Sequence, residues 1–312
     1  MIEGILIEGF IYGIMVLGVF ITFRVLNFAD MTVDGSFPLG ACILGVMLSR
    51  GAPFASALLL AFAGGAAAGL VTSLIHTRLK IPDLLSGILT MTMLYSINLR
   101  VMGSRANLSL LKIPTFFSRI TGWAESVLPA QWAGQWAIVI FCGLTVIAIK
   151  LILDIFFHTD FGLCLGALGA NPQLIISQGM NPDMIKITGI CLANGLVGIS
   201  GAYAAMYQGF SDVNFGTGMI VSGLASLMIG EFLIRSNRIS LLTLRVILGS
   251  ILYRGLMYFA RNYGYHINMT ANDLKLITGL LIIVCIVISK TGFLGSLQPG
   301  RRQKKAPQGA GK

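Results

Sequence analysis

Residues 54–75 read "FASALLLAFAGGAAAGLVTSLI", a stretch without one charged side chain. As a helix rising about 1.5 Å per residue it covers about 33 Å, enough to cross a hydrocarbon core of about 30 Å. A helix apolar on every side has no face to turn toward water. Lipid offers no partner to a free backbone N–H or C=O, so a chain built from such runs folds as helices that satisfy their own hydrogen bonds.

Similar runs predict an all-α polytopic membrane protein with about nine spans, eight to ten being the range. They fall at 4–24, 37–50, 54–76, 82–102, 135–157, 184–207, 217–235, 240–259 and 273–290, and the second is short enough to be a half-helix. Only 11% of the 312 residues are charged, against about 25% in soluble domains. The mean hydropathy of +0.84 excludes a soluble core. Residues 1–290 read as one transmembrane domain, and 291–312 as a basic, disordered tail.

The first residues, "MIEGILIEGF", carry two glutamates and no basic residue, unlike a secretory signal peptide, so the first span is expected to be retained. Cys42, Cys142, Cys164, Cys191 and Cys285 are scattered through apolar runs and read as small core side chains, not as disulfides or metal ligands. His76, His158 and His266 lie far apart with no metal-binding spacing. No G-x-x-x-x-G-K-[ST] loop is present, and "GISGA" (198–202) falls short of a nucleophile elbow, so neither nucleotide hydrolysis nor acyl chemistry is expected of this chain.

The net charge of +10 does not indicate nucleic acid, because Lys and Arg gather in loops. Arg24, "HTRLK" (76–80), "RSNR" (235–238) and "RRQKK" (301–305) share one side if the N-terminus is outside and the C-terminus cytoplasmic. Arg105, Lys112 and Arg119 fall on the other side, in the connection that also holds Trp123, Trp132 and Trp136 and is expected to lie along the outer interface. "GFIYG" (9–13) and "GGAAAG" (64–69) contain G-x-x-x-G, which lets helices approach closely in lipid.

The halves 4–102 and 184–290 echo each other. The first span runs into "NFADMTVDG" (27–35) and the sixth into "GFSDVNFGTG" (209–218), while "IPDLLSGILTM" (81–91) is matched by "ANDLKLITGLL" (271–281). Opposite orientations of the halves would make an inverted repeat, a common transporter plan in which solute passes beside broken helices.

Between the fifth and sixth spans, 158–183 is too polar and too broken to stay in lipid, and 161–178 is expected to form a short exposed helix. There "GALGANPQLIISQGMNPDMIKITG" resembles the cytoplasmic loop of permease subunits in the branched-chain amino acid and ribose branch of ABC importers. The likeness extends through "LNFADMTVDGSFPLGA", "IPDLLSGILTMTMLYSINLRVMG", "YQGFSDVNFGTGMIVSGLASLMIGE" and "ILGSILYRGL", covering residues 4 to about 290. It is nearest to a subgroup associated with tryptophan- or tyrosine-type binding proteins.

This resemblance implies an importer subunit in the bacterial inner membrane. Its partners would be a second permease copy, two ATP-binding subunits that use ATP and Mg, and an external solute-binding protein; the chain itself would bind no cofactor. Gly166, Gly169, Asn171, Pro172, Gln173 and Gly179 would couple to the ATPase. Asn27, Phe28, Asp30, Thr32, Asp34, Phe37, Asn98, Tyr207, Gln208 and Asp212 would line a path or gate.

A plainer reading of the first break has Asp34 or Ser36 capping the next helix, with Pro38 in its first turn. Glu8 and Glu231 lie near span ends, where arginine or lipid headgroups would satisfy them, and Arg245 and Arg254 are expected to snorkel to opposite interfaces. The competing mechanism is a secondary carrier driven by an ion gradient, with Asp30, Asp34 or Asp212 as its coupling carboxylate. The alternative cargoes for an ABC permease are branched-chain amino acids, sugars or nucleosides.

Overall fold

The computed structural model describes residues 2–127, 134–234 and 238–264, with the isolated helical positions 276, 279, 280 and 283. Apart from those four positions, the span predicted at 273–290 lies outside the described residues, as do the tail 291–312, Trp132, His266 and Cys285.

The chain opens with α1 (Ile2–Val19), which widens into a π-helix (Phe20–Val25). After a break come α2 (Val33–Ser49), α3 (Phe54–Leu79), α4 (Asp83–Val101), a short strand β1 (Asn107–Ser109) and α5 (Phe116–Val127). Then follow α6 (Gln135–His158), α7 (Asp160–Ala170), α8 (Pro172–Ser177) and α9 (Pro182–Gln208). Strand β2 (Phe210–Asp212), a 3₁₀ turn (Val213–Gly216), α10 (Met219–Leu233) and α11 (Ile239–Gly264) complete the described chain. Seven helices among the described residues are long and apolar enough to cross a membrane, and α2 is a shorter apolar helix, as its sequence predicts.

Helices α1 and α9 form the centre: 72% and 61% of their apolar windows are buried, against 28% in α4 and α6. They run antiparallel, since Ser200 Oγ donates to the Ile11 carbonyl while Gly18 packs on the Ala193 carbonyl. Small residues set these approaches, because only a missing side chain lets two backbones touch in lipid. Gly9 and Gly13 face Ile251 and Ser250 of α11, and Gly65 and Gly69 face Asn194 and Ile190 of α9, so both predicted G-x-x-x-G stretches are helix contacts.

Helix α2 runs parallel to α9, with Ser36 on Asn194 and Gly40 on Gly198. Helix α10 runs parallel to α1, with Gly223 on Val19 and Glu231 on Arg24. Because α1 and α9 are antiparallel, the short helices α2 and α10 point away from each other, and their N-termini meet inside the bundle. A long helix, a polar break and a short helix thus occur twice, in opposite directions.

The ends of α4 and α9 are clasped by the ribbon β1–β2, antiparallel with Asn107 opposite Asp212 and Ser109 opposite Phe210. This ribbon departs from the purely helical expectation. Gly209, at φ 75°, turns the chain out of α9 and into it, and Ser211 Oγ ties it to α2 by donating to the Ala41 carbonyl at 2.8 Å.

The predicted membrane carboxylates find cations. Glu231 accepts from Arg24 at 2.7 Å and from Arg245 at 3.2 Å, and Glu8 lies 3.7 Å from Arg254. Arg254 also stacks over the Tyr12 ring, 3.4 Å from its centroid. Both arginines are mostly buried against these partners, and the Nε of each is left without a hydrogen-bond partner.

Candidate functional site

In the first break, the wide π turn ends with the Phe28 N–H on the Thr22 carbonyl, and Asn27 takes φ 52° to release the chain. Asp30 is buried at 1% exposure. Its Oδ1 accepts from the Thr32 N–H at 2.9 Å, and its Oδ2 accepts from Asn194 Nδ2 at 2.7 Å. Asn194 Oδ1 in turn accepts from Ser36 Oγ at 2.7 Å, and the Thr32 and Thr72 hydroxyls are hydrogen-bonded to each other at 2.6 Å. A carboxyl inside a bundle is tolerated when donors surround it, and this one is held in a network joining the break to α2, α3 and α9.

Asp34 leaves that network and crosses to the other half. Its Oδ2 accepts from the Gly218 N–H at 3.1 Å and its Oδ1 from the Ile220 N–H at 2.7 Å, so one carboxylate caps the free N–H groups of α10. It does not cap its own helix: Thr32 is the N-cap of α2 without a side-chain capping bond, and Ser36 is committed to Asn194.

Helix α2 begins four residues before the predicted span, which places Pro38 in its second turn. Lacking an N–H, Pro38 leaves the Asp34 carbonyl without its helical donor. Gly216 packs against that carbonyl and against Pro38 so closely that no side chain would fit.

Beside this junction lies a cavity of about 320 Å³ lined by Asp34, Gly35, Pro38, Met91, Thr92, Tyr95, Asn98, Val213, Asn214 and Thr217. Of the residues predicted to line a path, it gathers Asp34 and Asn98. Tyr95, Asn214 and Thr217 lie within the resembling segments and join them there; the helical spacing of Tyr95 and Asn98, with Met91 and Thr92 one turn before, is the signal the sequence offers.

The others are engaged elsewhere. Phe37 is fully buried and stacked on Tyr12, and Phe28 meets the His76 ring edge to face. Gln208 donates to the Tyr12 hydroxyl at 3.1 Å, and Tyr207 lies against Gly4. Asp212 caps the 3₁₀ turn through the Asn214 N–H at 2.6 Å and accepts from Asn107 at 3.2 Å. Asp30, Asp34 and Asp212 therefore each hold at least two hydrogen-bond donors.

The segment after α6 forms two helices and not the single predicted one. The break falls at Asn171, because Pro172 cannot continue α7 and Asn171 caps α8 through the Gln173 N–H at 3.1 Å. Ile175 is buried, whereas Leu174 and Ile176 are 46% and 52% exposed, and Asn171, Pro172, Gln173 and Gly179 are exposed beside them. Gly179 turns the chain at φ 74°. Gly169 faces inward, packed on the carbonyl of Val25 at the end of the π-helix. Gly166 lines a second cavity, of about 510 Å³, with Arg24, Arg245, Phe20 and Phe157. Among the described residues no group of three His, Cys, Asp or Glu is placed to hold a metal.

The family described as the branched-chain amino acid transport system, permease component, matches residues 1–287. A tyrosine transport system permease protein of Clostridioides difficile is 38% identical over 97% of this chain and 98% of its own length. An uncharacterised protein of Rickettsia prowazekii is 30% identical over 87% of this chain and 91% of its own. More distant are autoinducer 2 import system permease proteins of Salmonella, 26% identical over 64% of this chain and 54% of theirs. No solved structure matches. A bundle of membrane-length helices with two breaks meeting beside a cavity, and a family match along nearly its whole length, place this chain in the branched-chain amino acid transport permease family, as the membrane subunit of an ABC importer.

Proposed function

We propose that this permease imports an amino acid with an aromatic side chain, of the tyrosine or tryptophan type. The observation that carries the reading is the 38% identity, over nearly the whole of both chains, to a permease named for tyrosine transport. The cavity at the α2–α10 junction supports it, since it sets an aromatic ring, Tyr95, beside polar groups at Asn98, Asn214 and Thr217.

In this reading two copies pair in the bacterial inner membrane, with the N-terminus outside and the C-terminus cytoplasmic. A solute-binding protein delivers cargo to the outer face. Two ATP-binding subunits, using ATP and Mg, dock on the α7–α8 segment, where Leu174 and Ile176 offer apolar contact outside the bundle. The permease carries out no reaction and binds no cofactor.

Uptake of labelled L-tyrosine into proteoliposomes containing permease, ATPase and binding protein tests the proposal. Uptake is expected to require ATP and all three components and to ignore a protonophore. Import by the permease alone, abolished by a protonophore, would replace it with an ion-driven carrier.

A further inference from the structure

Asn98 is 1% exposed, and only half of its amide is used. Its Nδ2 donates to the Gly35 carbonyl at 3.3 Å, while its buried Oδ1 has no partner, and Asn98 is one of the residues around the cavity. Reversing the amide would set two oxygens against each other, so Gly35 fixes Oδ1 as an open acceptor. A buried acceptor left open destabilises the fold, which points to a ligand that completes it.

Asp34, on the same cavity, accepts backbone N–H groups at the start of α10, and a carboxyl's two oxygens have room for a further donor. The residues around the cavity thus include a carboxyl group, Asp34, and an amide oxygen without a partner, Asn98 Oδ1. Met91, Pro38 and the half-exposed Tyr95 ring supply an apolar wall. Its volume of about 320 Å³ is at the small end of ligand pockets, which run from about 300 to 1,000 Å³.

We propose that this cavity is a transfer station for a solute bearing a primary ammonium group and an aromatic or apolar body. The ammonium donates to Asn98 Oδ1 and Asp34, and the body lies along Tyr95. The proposal rests on the permease reading above and adds the group recognised inside the membrane. Because Asp34 already holds two N–H donors, its pull on the ammonium is partial, and the solute is released readily.

The test uses the permease in lipid nanodiscs with Thr92→Cys at the cavity rim and follows maleimide labelling of that cysteine by peptide mass spectrometry. L-Tyrosine and tyramine, which carry the ammonium, are expected to slow labelling; 3-(4-hydroxyphenyl)propionate, which lacks it, is not. Adding Asn98→Leu should raise the protecting concentration about tenfold, the cost of one hydrogen bond to a charged group. If that variant does not fold, Tyr95→Ala at the exposed ring serves instead and should weaken protection by both amines.

Equal protection by all three compounds, or by none, overturns the proposal. Tyrosine uptake by the complete Thr92→Cys complex is measured in parallel. Uptake without protection rejects the station and leaves the permease reading standing, whereas protection without uptake by the wild-type complex rejects the assigned transport and keeps the binding site.

Discussion

Asp34 Oδ1 accepts the Ile220 N–H at 2.7 Å, so a carboxylate in the first turn of one broken helix caps the start of the other. The N-termini of α2 and α10 would otherwise face each other with free N–H groups and like partial charges. Asp34→Ala is expected to lower stability by about 2 kcal/mol, because it removes a cap and leaves the part-buried Ile220 N–H without its acceptor. Asp34→Asn keeps one acceptor and should fall between. Thermal unfolding in nanodiscs reads the order, and an unchanged Tm for Asp34→Ala would show that the cap contributes nothing.

The buried network around Asp30 behaves differently, because Asp30 Oδ2 depends on one amide. Asn194→Leu removes the donor to Asp30 Oδ2 and the acceptor for Ser36, and is expected to cost about 3–5 kcal/mol. Removing the charge as well, in Asp30→Leu/Asn194→Leu, should recover part of that loss, since no carboxylate is then left unpaired. Yields of folded protein in mild detergent compare the two, and a double variant no better than the single one would contradict the account.

What the sequence disclosed, and what it hid, follows from the range of each interaction. The breaks at 27–36 and 209–218 were visible because charges and glycines interrupt apolar runs, and Gly9, Gly13, Gly65 and Gly69 because G-x-x-x-G is a local spacing. The partner of Asp34 was not visible: Gly218 lies 184 positions away, and local spacing suggested only a cap on α2. The early start of α2 was hidden for a related reason, since Pro38 interrupts its helix just where Gly216, from the other half, fills the gap. The resemblance puts Gly169 among the residues that couple to the ATPase, and its contact with Val25, which joins the α7–α8 segment to the π-helix, has no local signal in the sequence.

At the far end of α10, Glu231 has two arginines of unequal importance. Arg245 is 9% exposed at its side chain and Arg24 58%. Glu231→Gln strands the buried Arg245 and is expected to destabilise by about 3 kcal/mol, whereas Arg24→Gln removes a screened contact and should cost about 1 kcal/mol or less. Denaturation midpoints separate the two, and equal losses would mean that burial does not govern this pair.

The α7–α8 segment divides into residues that hold it and residues that it offers. Leu174→Glu and Ile176→Glu alter exposed apolar positions and are expected to abolish co-purification of the ATP-binding subunit while Tm stays within about 0.5 kcal/mol of wild type in equivalent stability. Ile175→Glu places a charge in a buried site, and Gly169→Trp drives a ring into the Val25 carbonyl; both should lower Tm and disturb assembly as a consequence. The contrast lies in which variants fold: if Leu174→Glu and Ile176→Glu retain the ATPase, the motor grips another surface, and α8 is only the turn that returns the chain to α9.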